Sequence, residues 1–399
     1  MSIVLLSLAL SATVANVTPP QAEGTAQAEQ TIVVTGTPLR DTERALRACL
    51  ARTCPPNEDI DASLAHAENL FVAGKYEEAR ATSLASIGRN RRYAKAYPVD
   101  VSDLYRANSR LAAHLGEGRD YEWSVGAMHR ILASAFPRTD GRVIEADFEQ
   151  AEMYATFGRL QLARQVLEGA QKKAAEAGRD DLVSIARVRQ AWLYHLGGDD
   201  WLARQALEKL AGDRAPTGRL ARLGAMVVLA RLDRKAGDIG SSGALIDEMR
   251  AMHLRQPVLL FAPQVDLHPR LSDNNKSELD IGPDGNTRIS APIGTATNLM
   301  ATDNFEDRWI DVGFWVTSDG KVSDAEILRS RGPTDWTNEL MRSIAGRVYS
   351  PIQEGTYRVE RYSYTSRWMN VTNTRIRQRS PNARIEYVDL TASPPAGTR

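Results

Sequence analysis

RWIDVGFWVTSDGKVSDAEILRS, residues Arg308–Ser330, decides the fold of the C-terminal part of the chain. Ile310, Val312, Phe314 and Val316 alternate with period two and so share one face of a strand. Ser318-Asp319-Gly320-Lys321 follows. Asp-Gly between alternating apolar runs signals a hairpin, because glycine accepts a positive φ. The second strand is then Val322–Leu328. Gly332-Pro333-Thr334 breaks the sheet and leaves Thr334 or Asp335 as an N-cap. Trp336, Leu340, Ile344 and Val348 recur every fourth residue and form one helical stripe, which Pro351 ends. YRVERYSYTSRW, Tyr357–Trp368, supplies a third strand rich in aromatics. The order strand, strand, helix, strand predicts a small α+β domain with one helix packed on a three-stranded antiparallel sheet.

With a helix closing on Ser-Pro and a strand of alternating aromatics, VGFWVTSDGKVSDAEILRSRG resembles the TonB carboxy-terminal domain over roughly residues 305–370. The resemblance implies a binding activity. The third strand would offer its edge, at Tyr357, Val359, Arg361, Tyr362, Tyr364 and Trp368, to an extended segment of a TonB-dependent outer-membrane receptor or of another TonB-like protein. Backbone hydrogen bonds would supply affinity and alternate side chains selectivity. The competing reading is a sheet that only closes a domain or a homodimer.

Fifty basic and fifty acidic residues cancel, so no whole-chain field argues for nucleic acid or an anionic membrane. A length of 399 residues suggests two or three domains. The chain begins with an uncharged apolar run, Ile3–Val17, too short to cross a bilayer comfortably. Small-residue triplets at Thr13-Val14-Ala15 and Ala26-Gln27-Ala28 then read as cleavage sites of an export signal, although no Lys or Arg precedes Arg40. The expected location is the periplasm or cell envelope of a Gram-negative bacterium, with inner-membrane anchoring if the leader stays attached. Gln30-Thr31-Ile32-Val33-Val34-Thr35-Gly36 is β-prone and uncharged. It resembles a TonB box over Thr31, Ile32, Val33, Val34, Thr35 and Gly36, departing at Gln30, where the family prefers an acid, and at Gly36.

Cys49 and Cys54 are five residues apart, about 8 Å along a continuous helix, too far for a disulfide. Pro55-Pro56 should end the helix there and let Cys54 fold back, which makes a disulfide feasible in an oxidising compartment. Two free cysteines are the alternative.

From Asp59 to Met252 the pattern is helical and repeats. Gly74, Gly118, Gly158, Gly198 and Gly237 recur about every forty residues. Alanine stands seven residues before four of them, at Ala67, Ala151, Ala191 and Ala230, and five after three of them, at Ala79, Ala163 and Ala203. Gly-Lys-Tyr-Glu-Glu-Ala, Gly74–Ala79, resembles the turn of a tetratricopeptide repeat, and the spacing predicts five stacked helical hairpins.

The expected organisation is multidomain, an all-α tetratricopeptide-like solenoid followed by the small α+β domain. A leader occupies 1–28, and a linker with the β-prone segment and both cysteines 29–58. The solenoid spans 59–255, an irregular connector 256–304, the α+β domain 305–370, and a partly disordered extension with one strand near Arg384–Leu390 spans 371–399. Val258–Phe261 is a candidate strand in the connector, and Pro283-Asp284-Gly285-Asn286 a candidate turn. Asp280 and Asp284 fail as a calcium loop because the third ligand position is Gly282.

No zinc-protease, nucleophile-elbow, Walker or dinucleotide motif occurs, and the six histidines lack ligand spacing. The expectation is a binding protein with no enzymatic role, no cofactor, no metal and no small-molecule substrate. Two functions compete: a TonB-like partner of outer-membrane receptors, and a periplasmic scaffold or adaptor that uses its helical repeats. Proton-motive coupling would need a membrane helix with a polar motor contact and a long Pro-rich spacer. The apolar run carries no His, and only Pro19-Pro20 lie near it. A hydrolase with an unrecognised site is a third reading.

Overall fold

The computed structural model describes residues 37–215, 218–265, 280–281, 287–288, 308–370 and 377–391. The export signal, Thr31–Gly36 and the turn at Pro283–Asn286 lie outside them. Helix α1 (Leu39–Ala51) comes first, in the stretch expected to be a linker. Its apolar positions face α2 (Pro56–Val72), whose proline at the first turn presets φ without losing a needed donor. Between them Thr53 turns the chain at φ 53°, and Cys54 N–H donates to Cys49 O. A disulfide links Cys49 and Cys54 across a Cα separation of 5.1 Å.

Five helical hairpins follow among the described residues. They are α2 with α3 (Tyr76–Asn90), α4 (Pro98–Leu115) with α5 (Gly118–Ala135), α6 (Gly141–Thr156) with α7 (Leu160–Glu176), α8 (Asp180–Leu196) with α9 (Asp200–Ala211), and α10 (Arg219–Ala236) with α11 (Ile239–Arg250). Each helix packs on the next in sequence, and buried clusters succeed one another from Ile60 to Met252. This is helical-repeat stacking, in which no hairpin buries its apolar face alone.

The turn glycine of the second hairpin is Gly116 (φ 76°), not Gly118, which opens α5. Moving the register by two residues restores the small-residue pattern. Ser109 now stands seven residues before Gly116 and is buried, as are Ala67, Ala151, Ala191 and Ala230 at the matching positions of the other hairpins. After the turns, Ala79, Ala163, Ala203 and Ser242 are fully buried, because the two helices approach too closely for a larger side chain. Tyr121 is the exception.

The C-terminal module is a four-stranded antiparallel sheet in the order β5-β4-β7-β8: β4 (Trp309–Val316), β5 (Val322–Arg331), β7 (Thr356–Asn370) and β8 (Arg377–Asp389). Ser318–Lys321 turns β4 into β5, with Gly320 at φ 84°. Helix α12 (Thr337–Ala345) covers one face. Ile310, Val312, Phe314 and Val316 pack there against Leu340, Ile344, Tyr349 and Tyr362.

Two expectations need correction here. The helix ends at Ala345, before Val348, and starts after Trp336 with no side-chain cap. Val348 and Tyr349 instead form β6, paired with β1 (Leu259–Phe261), so a tertiary strand partner outweighs helical period. The short strands β2 (Asp280–Ile281) and β3 (Thr287–Arg288) pair with each other. No described helix is long and apolar enough to cross a membrane.

Candidate interaction surfaces

The second face of the sheet lies on the helical repeats, and charge complementarity fixes it there. Trp309 and Asp311 occupy the positions of β4 that alternate with the core residues, so they point away from α12. Asp311 is fully buried. Arg361 of β7 donates to it twice, from Nε to Oδ1 at 2.6 Å and from Nη2 to Oδ2 at 2.9 Å, and Arg329 Nε adds a third bond at 2.8 Å. The remaining Arg361 nitrogen, Nη1, donates to Val72 O at 2.5 Å. That carbonyl ends α2, where unsatisfied acceptors and the negative end of the helix dipole favour a cation. Its guanidinium also stacks 3.9 Å from the Trp309 ring centroid. Although burial opposes its charge, the Asp311 hydrogen bonds hold the Arg361 pKa above the usual arginine value.

The same device recurs one hairpin along. Arg384 Nη2 of β8 donates to Ala113 O at 2.9 Å and His114 O at 3.0 Å, at the end of α4. Between the two arginines lie Phe71, Tyr76 and His114, with the Tyr76 and His114 rings 4.2 Å apart, and Tyr76 Oη bonded to Ser363 Oγ at 2.9 Å. Burial first, and then the positive charges of Arg384 and Arg361, push His114 down to about 3. Burial also raises Tyr76. The module is held at the other end of the repeats as well: Arg231 of α10 donates to Leu259 O in β1, through Nε at 3.1 Å. The first, second and fifth hairpins therefore grip one sheet module.

This arrangement overturns the expected binding edge. β7 pairs with β4 on one side and, from Glu360 to Asn370, with β8 on the other, so its backbone offers no free edge there. The strand expected near Arg384–Leu390 in the C-terminal extension is present, but it runs from Arg377 to Asp389 and is the strand that covers β7. Tyr357 lies across Gly313, the residue whose missing side chain makes room for its hydroxyl. Val359 N–H donates to Thr391 Oγ1 and Val359 O accepts from Leu390. Arg361, bonded to Asp311 and to Val72 O, is the latch that holds the sheet to the end of α2. Tyr362 is core, its hydroxyl donating to Glu360, whose carboxylate also accepts from Arg347 at 2.7 Å; burial first, then the Glu360 charge, raises the Tyr362 pKa. Tyr364 is buried with its ring 5.5 Å from Trp336. The side chain of Trp368 lies outside the described residues.

The turn edge on which the sheet sits continues past it. In hairpins three to five it carries Phe157 and Leu162, Trp201, and Ile239, the last two 70% and 59% exposed. All four stand at a turn or in the first helical residues after it. Sequence reasoning missed this row because each residue alone is an ordinary exposed apolar side chain. It also missed Asp311, whose signal was an acid inside an apolar strand, a group that must find a partner if buried.

No group of three or more potential metal ligands occurs among the described residues. No family model and no curated protein matches the sequence. Solved structures that resemble the chain include TPR-like repeats of a kinesin light chain from Podosopora anserina (17% identity, TM-score 0.40, 50% of this chain and 95% of that one). BtubC from P. vanneervenii is similar at 15% identity and a TM-score of 0.43, over 58% of this chain and 97% of that one. NprR in complex with its cognate peptide NprX is similar at 15% identity and a TM-score of 0.37, over 55% and 62%. At these values the likeness assigns neither a family nor an activity.

Proposed function

We propose that the protein is a protein–protein interaction scaffold of the cell envelope, with its helical repeats as the docking surface. The observation that carries this is the bare continuation of the turn edge, where Phe157, Leu162, Trp201 and Ile239 remain exposed. Exposed aromatics and aliphatics that recur at the same place on successive hairpins of a rigid frame are what a partner anchors to. The envelope location rests on the apolar run at Ile3–Val17, the small-residue triplets after it and the Cys49–Cys54 disulfide. The reading carries no catalytic step.

A second reading, strand addition of a receptor segment to a TonB-like domain, is favoured by the β-β-α-β order. With β8 on β7, such a segment would have to use another edge. The test is retention of envelope proteins on the immobilised protein. A partner held by wild type should fall at least tenfold with Trp201→Glu or Ile239→Glu, and not with Lys172→Gln. Equal retention by all four would sink the scaffold reading for this edge.

A further inference from the structure

A cavity of about 520 Å3 opens where the fourth and fifth hairpins meet the C-terminal module. That is the size of a small-molecule site, and such sites favour boundaries between packed units. Its wall comes from the link between α9 and α10, the first turn of α10, the chain after α11 and the loop after β6. In that loop Gln353 N–H donates to Leu254 O at 3.0 Å, which ties the module to this corner. The cavity lies at the opposite ends of α10 and α11 from the Gly237 turn, so it is separate from the exposed row that ends at Ile239.

Four arginines line it: Arg214, Arg219, Arg222 and Arg255. Two of them share one acid, since Glu248 Oε1 accepts from Arg214 Nη1 at 2.6 Å and also from Arg222 Nη2. Arg219 Nη2 donates to Met252 O at 2.8 Å, a neutral partner that holds the side chain and leaves its charge standing. Arg255 is exposed and makes no ion pair among the described residues. Asp213 also lines the cavity, its Oδ1 accepting from Ala215 N–H at 2.9 Å. Four guanidinium groups thus stand against two carboxylates, Asp213 and Glu248, and two positive charges are left over. Arg219 and Arg222 stand in the first turn of α10, the positive end of the helix dipole, where an anion is favoured over a cation. Arg222 Nε is buried with no hydrogen-bond partner, a cost that an acceptor in the cavity would relieve.

We propose that this cavity binds a phosphate monoester, with Arg219 and Arg255 as its main anion contacts. A phosphate monoester carries about 1.5–2 negative charges at neutral pH, which matches the two positive charges left over. Guanidinium forks present paired donors that fit its oxygens. His253 and Gln353 add polar side chains to the wall, and only Ala215, Ala251 and Met252 are apolar. The site therefore suits a phosphate on a small polar carrier, free in solution or at the head of a lipid, and does not suit an acyl chain. This inference is independent of the partner proposed for hairpins three to five.

Isothermal titration calorimetry of the full chain with glycerol 3-phosphate tests it, at constant ionic strength because salt screens such contacts. Sedimentation with phosphatidylcholine vesicles containing phosphatidic acid is the second arm. Wild type should bind the soluble phosphate saturably, Arg255→Gln and Arg219→Gln at least tenfold more weakly, and Lys172→Gln as wild type does. Arg255→Gln breaks no ion pair within the chain, so its loss of binding would not report misfolding. Binding to the vesicles alone, with the same dependence on both arginines, would make the phosphate a lipid headgroup. Binding of neither probe, or binding that both substitutions leave unchanged, overturns the proposal.

Discussion

The turn edges of the first two hairpins and of the last three are built alike and used differently. A Cβ at Gly74 would lie 2.5 Å from Trp309 Nε1, whereas a Cβ at Gly158, Gly198 or Gly237 would meet nothing within 4 Å. All four glycines share the left-handed conformation that closes the hairpin. The helix ends next to the first two turns have their carbonyls bound by Arg361 and Arg384. What distinguishes the two stretches is therefore not the repeat but what is laid on it. A helical repeat presents the same polar helix ends and small turns at every step. One stretch of that edge can hold the chain's own sheet while the next is left for another protein.

The largest expected effect breaks the covered stretch. Asp311→Ala leaves Arg361 and Arg329 without their shared carboxylate, and Arg361 is 1% exposed. An uncompensated buried charge should cost about 3–5 kcal/mol in chemical denaturation. Trp201→Ala, on the bare stretch, should change stability by less than about 0.5 kcal/mol. Equal losses would mean that the latch does not separate the two stretches.

A smaller effect compares the glycines themselves. Gly158→Ala should cost about 1–2 kcal/mol from the left-handed backbone alone. Gly74→Ala carries that cost and also a collision with Trp309, which should add about 1–3 kcal/mol. In a Trp309→Ala background the excess at Gly74 should vanish, while Gly158→Ala stays as it was. A double-mutant cycle with no coupling between Gly74 and Trp309 would remove the sheet from this turn.

Much of the frame was legible because it rests on local sterics. Alanine at fixed distances from glycine marks helix crossings, and Ser318-Asp319-Gly320-Lys321 between alternating apolar runs marks a hairpin. The one slip in the repeat, Gly118 for Gly116, came from two glycines two residues apart, of which only the first takes a positive φ. The binding edge was not legible, because edge status belongs to neighbours. A strand near Arg384–Leu390 was legible, but not that it starts at Arg377 and lies against β7. Val348 fitted a helical period and went to a strand because β1, ninety residues earlier in the chain, offered it a partner. The latch was illegible for the same reason, since nothing in the sequence around Arg361 points to the end of α2.

The mildest test titrates the covered stretch. His114 is buried between Phe71 and Tyr76, and burial with the nearby Arg384 and Arg361 holds it near 3, against an ordinary value of 6.5. The imidazole is thus neutral in the folded protein, and its contribution to stability is complete above pH 6.5. As the pH falls below 6.5 the unfolded chain takes up a proton that the folded chain refuses. Stability should fall by up to about 1.4 kcal/mol per pH unit until the folded value is reached. His66, also lowered first by burial, pulls in the same direction, so wild type alone does not isolate the site. Asp59 belongs to a more acidic window. Burial opposes its ionisation, but the hydrogen bonds from Arg89 and Asn90 outweigh that and hold its pKa below 3.8, so its loss starts nearer pH 4. The informative range is therefore pH 6.5 to 5, and the informative quantity is the difference between wild type and His114→Gln in urea unfolding. That difference should shrink steadily with acid, because the variant lacks the group that resists protonation. A constant difference across the range would mean that His114 is open to solvent, and that the sheet does not seal the ends of α2 and α4.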